Sequence, residues 1–297
     1  MLVNPRIGRL LGGVKDLVRQ NLPDQSCELA VVEGPAAMAE RARAAAGKGY
    51  ARVIVAGGDG TVGVVVRALV DSPLPLGVVP VGTHNNFAVS LGIPLDVPAA
   101  CKLAVEGEPA PVDLGRVVSR QPPSTFIFKE IVGVGVDAMA FGGGVDVAGP
   151  AKIPVGALAV MSAIVSFRPH PVRFAVDGAR KFIKCTQLVV ANTPRYGPAL
   201  NVVPEAAPND GLLHALARTW RGRLDLLSEL PHIFSGRHGD LEHDFCVPAR
   251  RVLIKGNSRI LMHADGEFFC RLPATVEVLP GAIQVVVGPV KNPAIVV

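Results

Sequence analysis

The sequence has few aromatic residues, no paired-cysteine motif and no long hydrophobic run, and each of these features limits what the protein can be. Aromatic side chains make up only 5% of the 297 residues, so the core must be built mainly from Val, Leu, Ile and Ala. The five cysteines are odd in number, widely spread and without a CxxC pair, which argues against a disulfide framework and a zinc ribbon. The charge-free apolar stretch at 153–167 is shorter than the ~20 residues that a membrane-spanning helix needs.

The charge balance and the N-terminus narrow the possible partners and location. No apolar segment follows a basic start, so we predict no signal peptide and a cytoplasmic protein, with peripheral attachment at the inner membrane surface left open. The net charge of +5 suits an anionic ligand or an anionic membrane surface, and equally an ordinary solvated basic surface. Nucleic acid is disfavoured as a partner, because no dense basic run is interleaved with aromatic residues.

Hydrophobic patterns divide the chain near Asp113. Before it, predicted strands at 30–32, 52–56 and 76–81 alternate with predicted helices at 36–46, 62–70 and 98–106. This alternation is typical of βαβ units and a parallel sheet. After it, short runs punctuated by Gly, Pro and Asn predict an antiparallel, mostly β domain, with strands at 125–136, 172–176, 182–191, 252–254 and 260–263 and helices at 155–167 and 223–234. We predict domains at 1–113 and 114–282, with a strand at 283–287 in a tail (283–297) that can return to either domain.

The sequence GGDGT, residues Gly57, Gly58, Asp59, Gly60 and Thr61, lies between a predicted strand and a predicted helix. Glycines let backbone N–H groups approach a ligand closely, and the N-terminus of the following helix attracts anions. Asp59 would repel a bare phosphate, so its sensible partner is a phosphate-bound Mg²⁺. The motif is neither a Walker A nor a GxGxxG pattern. A glycine-rich turn with an N-capping Asp or Thr explains these residues equally well.

Further motifs occur along the chain in a fixed order. Asn4-Pro5 lies near the N-terminus, and the predicted strand at 76–81 runs into PVGTHNNFA at 80–88. The later motifs are VDLG at 112–115, GVGVDA at 133–138, PEA at 204–206, NDGLL at 209–213 and DGE at 265–267. Together with GGDGT, this ordered set resembles the diacylglycerol kinase catalytic family, which includes bacterial lipid kinases and the sphingosine kinases. The resemblance covers nearly the whole chain, whereas GGDGT alone is shared with NAD kinases.

The resemblance implies an ATP- and Mg²⁺-dependent lipid kinase with two domains. One would be an α/β nucleotide-binding domain like that of NAD kinase and phosphofructokinase, and the other an all-β sandwich. By matched position, ATP would contact Gly57, Gly58, Asp59, Gly60, Thr61 and Thr83, with Asn85 beside it. Asp59 would orient the catalytic Mg²⁺, and Glu267 would be the general base for the acceptor hydroxyl. A structural Mg²⁺ would be held by the carbonyls of Ala207 and Leu212 and the carboxylate of Asp210.

The resemblance leaves the acceptor and the assembly open. The acceptor would be a diacylglycerol-like, phosphatidylglycerol-like or sphingoid lipid at a membrane surface, and the oligomeric state is undetermined, with a homodimer among the options. Considered apart from the family resemblance, the DGE residues indicate a polar hairpin turn, because Asp-Gly is a common turn dipeptide. The histidines and carboxylates between 232 and 244 match no metal-binding spacing and indicate a solvated loop.

Several positions depart from the family pattern, Gly63, Val64 and Asn86 among them. Gly63 and Val64 stand where the family has Asn-Glu, and Asn86 replaces a carboxylate. These losses put nucleotide affinity or metal geometry in question. They keep open a weakened or inactive member that only binds nucleotide or lipid. A third alternative is an NAD kinase, although the sequence lacks the Asn-Glu dipeptide that would bind the nicotinamide ribose.

Overall fold

The computed structural model describes residues 1–3, 27–135, 138, 170–197, 200–219 and 245–289. The motif at Asn4-Pro5, most of the GVGVDA motif after Gly135, the predicted helices at 155–167 and 223–234, and the histidines at 232–243 lie outside these residues. The chain forms two compact units. One comprises Met1–Asp113, Pro208–Asp210 and Pro280–Val297, and the other Leu114–Ala207 and Gly211–Leu279.

The first unit contains a parallel sheet with helices. Its strands are β1 (Leu2–Val3), β2 (Ala30–Val31), β3 (Val53–Gly57) and β4 (Leu76–Pro80), and its helices are α1 (Pro35–Ala45), α2 (Asp59–Ala68), α3 (Asn86–Ser90) and α4 (Val97–Glu106). The strand order is β4-β3-β1-β2, and all neighbours are parallel. Every residue of β3 and β4 is buried, as expected for central strands of a parallel sheet covered on both faces.

The predicted elements of the first unit are confirmed with small shifts of their ends. Helix α2 begins at Asp59, three residues before the predicted start, because Gly58 takes the extended N-cap conformation directly after β3. Helix α3 is absent from the prediction. It is only five residues long, and its N-cap residue Asn85 has a left-handed backbone with φ 53°, so no apolar periodicity marks it.

The second unit is antiparallel. Its strands are β6 (Pro123–Phe128), β7 (Ile131–Val134), β8 (Val172–Val176), β9 (Ile183–Cys185), β10 (Gln187–Ala191), β11 (Arg195–Tyr196), β12 (Leu200–Asn201), β13 (Leu213–Arg218), β14 (Phe245–Ala249), β15 (Arg251–Lys255) and β16 (Leu261–Ala264). Its core includes Phe128, Phe174, Leu188, Met262 and Leu272.

Two long strands have residues in both units. These are β5 (Pro109–Gln121) and β17 (Phe268–Val286). In the second unit, β17 pairs with β16, β15 and β5. Its end belongs to the first unit, where Val285 pairs with Leu76 of β4 in parallel.

Two predicted strands of the second unit are each split in the structure. The predicted strand at 125–136 is wrong at Lys129 and Glu130, which separate β6 from β7. Their backbone N–H groups bond to the side chain of Asp265 instead of to a neighbouring strand. The predicted strand at 182–191 is interrupted at Thr186, whose N–H donates to the carbonyl of Arg218 at 3.0 Å.

Asp113 joins three separate segments of the first unit. It is buried, its N–H donates to the carbonyl of Pro208 at 2.7 Å, and its Oδ1 accepts the N–H of Gly281 at 2.7 Å. The short segment 208–210 and the returning segment after 280 are therefore both hydrogen-bonded to the end of the N-terminal part of the chain.

We predict that Asp113→Ala lowers the free energy of unfolding by about 1–3 kcal/mol, because the Gly281 N–H loses its acceptor. Asp113→Asn keeps an oxygen at that position and should cost less than half as much. Urea denaturation of the three proteins measures the difference, and equal stability of the Ala and Asn variants would contradict the role of this bond.

Candidate functional site

The GGDGT sequence forms the turn between β3 and α2. The carbonyl of Gly58 accepts the first intrahelical bond from Val62 N–H at 2.9 Å, so the amides of Asp59 and Gly60 precede the hydrogen-bonded ladder of the helix. Gly60 is exposed, and Gly58 and Asp59 are half-buried. The N-terminus of a ten-residue helix concentrates partial positive charge at this turn. The turn therefore has the character of an anion site.

This turn is in van der Waals contact with the loop that follows β4. A Cβ atom placed on Gly82 would lie 2.3 Å from the Cα of Gly58, and one on Gly58 would lie 3.0 Å from the Cα of Gly82. Only glycine at both positions lets the two backbones approach this closely. The loops after two adjacent parallel strands are thus joined at one point, at the carboxyl ends of those strands.

Asp59 forms a second link between the same two loops. Its Oδ1 accepts the N–H of Phe87, in the first turn of α3, at 3.3 Å. The N-cap of α2 is Gly58, without a side-chain cap, so Asp59 does not cap its own helix. This hydrogen bond involves only Oδ1 of the carboxylate, and the second oxygen, Oδ2, takes no part in it. A carboxylate in this position can stabilise the α3 N-terminus and still present an oxygen to a cation.

Thr83 and Asn85 lie in the loop after β4 and differ in their surroundings. Thr83 is exposed. Asn85 is buried, and its side-chain amide is hydrogen-bonded at both ends to Gly82. Its Oδ1 accepts the Gly82 N–H at 2.9 Å, and its Nδ2 donates to the Gly82 carbonyl at 3.0 Å. Asn85 therefore holds the loop in shape, and Thr83 is the residue of this pair that is accessible to a ligand.

The departures from the family pattern lie close to these loops. Gly63 is buried in α2, and Val64 is half-buried on the same helix. The side chain of Asn86 is buried at the start of α3. The polar groups that the family pattern would place at 63 and 64 are therefore replaced on α2 by a hydrogen atom and a half-buried isopropyl group.

In the second unit, the DGE residues form a tight hairpin turn between β16 and β17. Asp265 and Gly266 have positive φ angles of 51° and 68°, and the Glu267 N–H donates to the Ala264 carbonyl at 3.0 Å. Positive φ at both central residues is the pattern of a type I′ turn. The hairpin indicated by the residues alone is confirmed. Glu267 is exposed at the end of this turn, where its carboxylate can reach a ligand.

The Asp265 side chain points inward and accepts three backbone hydrogen bonds. Its Oδ2 accepts the Lys129 N–H at 2.9 Å, and its Oδ1 accepts those of Glu130 and Ile131 at 3.0 and 3.1 Å. The side chain is fully buried, and Lys129 Nζ lies 3.9 Å from its Oδ2. This carboxylate fixes the β6–β7 junction to the turn that carries Glu267.

The β6–β7 junction is also bonded from its other side. The Asn192 Nδ2 donates to the Lys129 carbonyl at 2.9 Å, and the Asn192 N–H donates to the Glu130 carbonyl at 2.8 Å. Lys129 and Glu130 form a buried ion pair with each other. Sequence reasoning missed all three residues. The only signal was a Lys-Glu pair inside an otherwise apolar predicted strand, whose burial needs partners from distant segments.

His263 is hydrogen-bonded to the same turn. Its Nδ1 accepts the Gly266 N–H at 3.3 Å and lies 3.5 Å from the Tyr196 hydroxyl, and the two rings are stacked with centroids 5.6 Å apart. His263 is therefore a supporting residue of the turn.

The segment predicted to hold a structural Mg²⁺ connects β12 to β13. Ala207 is buried, Asp210 is exposed and Gly211 has a positive φ of 72°. The donors proposed for the ion, two backbone carbonyls and one carboxylate, are all oxygen atoms and suit Mg²⁺ chemically. No group of three or more His, Cys, Asp or Glu side chains in the described ranges is arranged to hold a metal ion.

Two family models match the chain, one over each part. The model described as diacylglycerol kinase catalytic domain matches residues 1–117. The model described as YegS C-terminal NAD kinase beta sandwich-like domain matches residues 130–287, which is more than half of the chain. The antiparallel second unit is thus of the β-sandwich type that the resemblance implies.

Curated relatives and a solved structure agree with these matches. The chain is 33% identical over 248 residues to a diacylglycerol kinase of Mycobacterium tuberculosis, covering 82% of this chain and 78% of the relative. It is 29% identical over 240 residues to a diacylglycerol kinase of Bacillus subtilis, covering 78% and 76%. The crystal structure of a diacylglycerol kinase from Bacillus anthracis matches with a TM-score of 0.73 at 22% identity, over 99% of this chain and 97% of that one.

A parallel α/β unit with an anion-site turn, followed by a β-sandwich-type unit, defines a two-domain kinase fold. The chain belongs to the diacylglycerol kinase catalytic family and is an enzyme of the lipid kinase class. The predicted family and fold class are confirmed. In the part of the chain that the structure describes, no helix has both the length and the hydrophobicity to span a bilayer.

We predict that Gly82→Ala lowers the free energy of unfolding by about 1–3 kcal/mol, because the new methyl group overlaps the backbone at Gly58. Gly47→Ala is the matched control, since a Cβ there meets no atom within 4 Å and should change stability by less than about 0.5 kcal/mol. Thermal and urea denaturation compare the two variants. Equal stability of both would show that the loops do not need this close approach.

We predict a large loss of stability when the first carboxylate of the DGE turn is removed and almost none when the second is neutralised. Asp265→Ala should lower the free energy of unfolding by at least about 3 kcal/mol, because three buried N–H groups lose their acceptor. Glu267→Gln should change it by less than about 0.5 kcal/mol, since the side chain is exposed. Urea denaturation measures both, and a stable Asp265→Ala protein would refute the structural role of this carboxylate.

Proposed function

We propose that this protein transfers the γ-phosphoryl group of ATP to a hydroxyl group of a lipid, in a Mg²⁺-dependent reaction. The observation that carries the proposal is the GGDGT turn at the N-terminus of α2, joined to the Gly82 loop. A glycine turn at a helix N-terminus is suited to the phosphates of a nucleotide. Membership of the lipid kinase class supports the reaction type.

In this proposal the nucleotide phosphates bind at the amides of the GGDGT turn, with the exposed Thr83 as a further contact. The Asp59 carboxylate, through the oxygen not bonded to Phe87, would hold Mg²⁺. Mg²⁺ supplies neutralisation of the charge on the transferring phosphoryl group when it is bound. Asn85 acts indirectly, because its amide is bonded to Gly82 and sets the shape of the loop that presents Thr83.

Glu267 is the proposed general base. Its carboxylate would take the proton of the acceptor hydroxyl as the oxygen bonds to the γ-phosphorus and the bond to the ADP oxygen breaks. Support for this role comes from its exposure at the end of the turn and from the rigid attachment of that turn through Asp265. A positioned base of this kind contributes about 10²–10⁴-fold to a rate. Ala207, Asp210 and Leu212 would hold a second, structural Mg²⁺.

The acceptor we favour is a diacylglycerol-like lipid, because the curated relatives are named diacylglycerol kinases. Phosphatidylglycerol-like and sphingoid lipids carry the same reactive hydroxyl group and belong in the same assay. The enzyme would meet such a lipid at a membrane surface.

A second candidate is a family member that binds nucleotide or lipid without catalysis. Gly63 and Val64 on α2 favour it, because the polar groups of the family pattern are missing there. The bond from Asp59 to Phe87 gives this carboxylate a structural role that an inactive protein would also need. An NAD kinase is a third candidate of the same fold type, and it is distinguished by its acceptor.

We predict that purified protein transfers ³²P from γ-labelled ATP to a lipid of a panel that includes diacylglycerol, phosphatidylglycerol and sphingosine. Asp59→Asn and Glu267→Gln should each lose about 100-fold or more of this rate. Asp59→Asn keeps an oxygen acceptor for the Phe87 N–H, so its loss reports charge and not folding. Glu108→Gln, at another exposed carboxylate, should keep the wild-type rate.

The alternatives give different results in the same assay. Labelled NAD instead of lipid would identify an NAD kinase. No labelled product, together with a rise in melting temperature on adding Mg·ATP, would favour the binding-only protein, since a ligand of the native state stabilises it. No product and no such rise would contradict the nucleotide site altogether.

A further inference from the structure

Three basic side chains form a row across adjacent strands of the second unit. Lys255 of β15 is directly opposite Arg173 of β8, and Arg173 is directly opposite Lys184 of β9. All three are exposed. We call these residues the basic row. Their neighbours Ile254 and Cys185 are buried in the core, so the alternation of the strands places the basic row on the outer face.

Further positive charges surround the basic row. Arg251, on the same outer face of β15, is exposed, and the turn after β8 carries the exposed Arg180 and Lys181. Lys255 Nζ lies 4.6 Å from the centroid of the Phe182 ring, which holds the side chain in place without removing its charge.

The acidic residues of the neighbouring segments are already engaged. Asp177 Oδ1 accepts the backbone N–H groups of Arg250 and Arg251 at 2.9 and 2.8 Å. Glu277 of β17 pairs with Arg116, with Oε1 at 2.9 Å from Nη2. Among the described residues, no salt bridge neutralises any member of the basic row.

The strand register that aligns the basic row should destabilise the folded sheet. Like charges directly opposite each other on neighbouring strands destabilise a sheet, and here three stand in line. No acidic side chain in the described ranges forms a salt bridge that offsets this repulsion, so the arrangement is explained best by an external anionic partner.

We propose that the basic row is the surface through which the enzyme docks on an anionic phospholipid bilayer. The complementary charge of the membrane and a lipid substrate argue for this partner, and the second reason rests on the proposed function. The cytoplasmic face of a membrane carries a negative surface potential that attracts clustered Lys and Arg side chains. Proteins that bind single-stranded nucleic acid use aromatic side chains on which the bases stack. Phe182 is half-buried and in contact with Lys255, so it is poorly placed for such stacking.

The expected effect of the row on binding is large. Each well-placed Lys or Arg strengthens binding to an anionic surface about fivefold, so three contribute about 100-fold at low salt. The attraction acts through screened charges and should weaken steeply as salt is raised.

The test is sedimentation of the full-length protein with phosphatidylcholine vesicles that contain or lack phosphatidylglycerol. The row variant R173Q/K184Q/K255Q should bind the anionic vesicles about 100-fold more weakly than wild type. The control R43Q/K48Q/K102Q removes the same charge from exposed positions of the first unit and should stay within about threefold of wild type. Equal loss in both variants, or in neither, would overturn the proposal.

Two further measurements keep the outcome unambiguous. The melting temperature of the row variant at low salt should equal or exceed that of wild type, because repulsion is removed; a large fall would contradict the cost inferred for the row. Binding of wild type to duplex DNA at the same salt, lost in the row variant and without vesicle binding, would assign the surface to nucleic acid and overturn the proposal.

Kinase activity separates this inference from the proposed function. With lipid presented in nonionic detergent micelles, the row variant should turn over at the wild-type rate, while its rate on anionic vesicles should fall with its binding. Equal rates of the two proteins on anionic vesicles would contradict docking through the row. Absence of kinase activity on every lipid would refute the proposed function, and vesicle sedimentation would still decide the docking surface.

Discussion

The second unit depends on the buried carboxylate of Asp265. This one side chain accepts the N–H groups of three consecutive residues, Lys129, Glu130 and Ile131, at the junction between β6 and β7. A buried backbone N–H needs an acceptor, so the break between β6 and β7 depends on the side chain of Asp265. The same bonds fix the β16–β17 turn, and with it the exposed Glu267. Within one Asp-Gly-Glu motif, the first carboxylate therefore serves the structure, whereas the last residue is exposed.

In the first unit, small residues fix the loops after β3 and β4 to each other. Gly58 and Gly82 let the loops after β3 and β4 touch, and Asp59 bonds the start of α2 to the start of α3. Asn85 closes the second loop on itself through Gly82. The anion-site turn is thus supported by bonds that involve no ligand, which is the preorganisation that phosphate binding requires. The family's pattern of Gly, Asp and Asn in these loops has a structural explanation beside the chemical one.

Local sequence patterns were sufficient for most of the first unit and for the family. The apolar runs of β3 and β4 are uninterrupted, and α4 is preceded by its N-cap residue Asp96, whose side chain accepts the Ala99 N–H, so short-range rules find them. They fail where a residue depends on a distant partner. Lys129 and Glu130 read as part of a strand because the acceptor of the Lys129 N–H lies 136 positions later. The register that aligns the basic row is likewise a property of strand pairing, which no single segment contains. The assignments of Glu267 and of the Mg²⁺ ligands stay predictions, because they concern ligands and not folding.

The central claim is that the nucleotide binds at the turn between β3 and α2. The most direct measurement is amide NMR of protein labelled with ¹⁵N-glycine, titrated with Mg·ATP. The account predicts saturable shifts at Gly57, Gly58, Gly60 and Gly82, whereas Gly178 of the second unit should remain unchanged. Saturable shifts confined to other glycines, with these four unmoved, would contradict it.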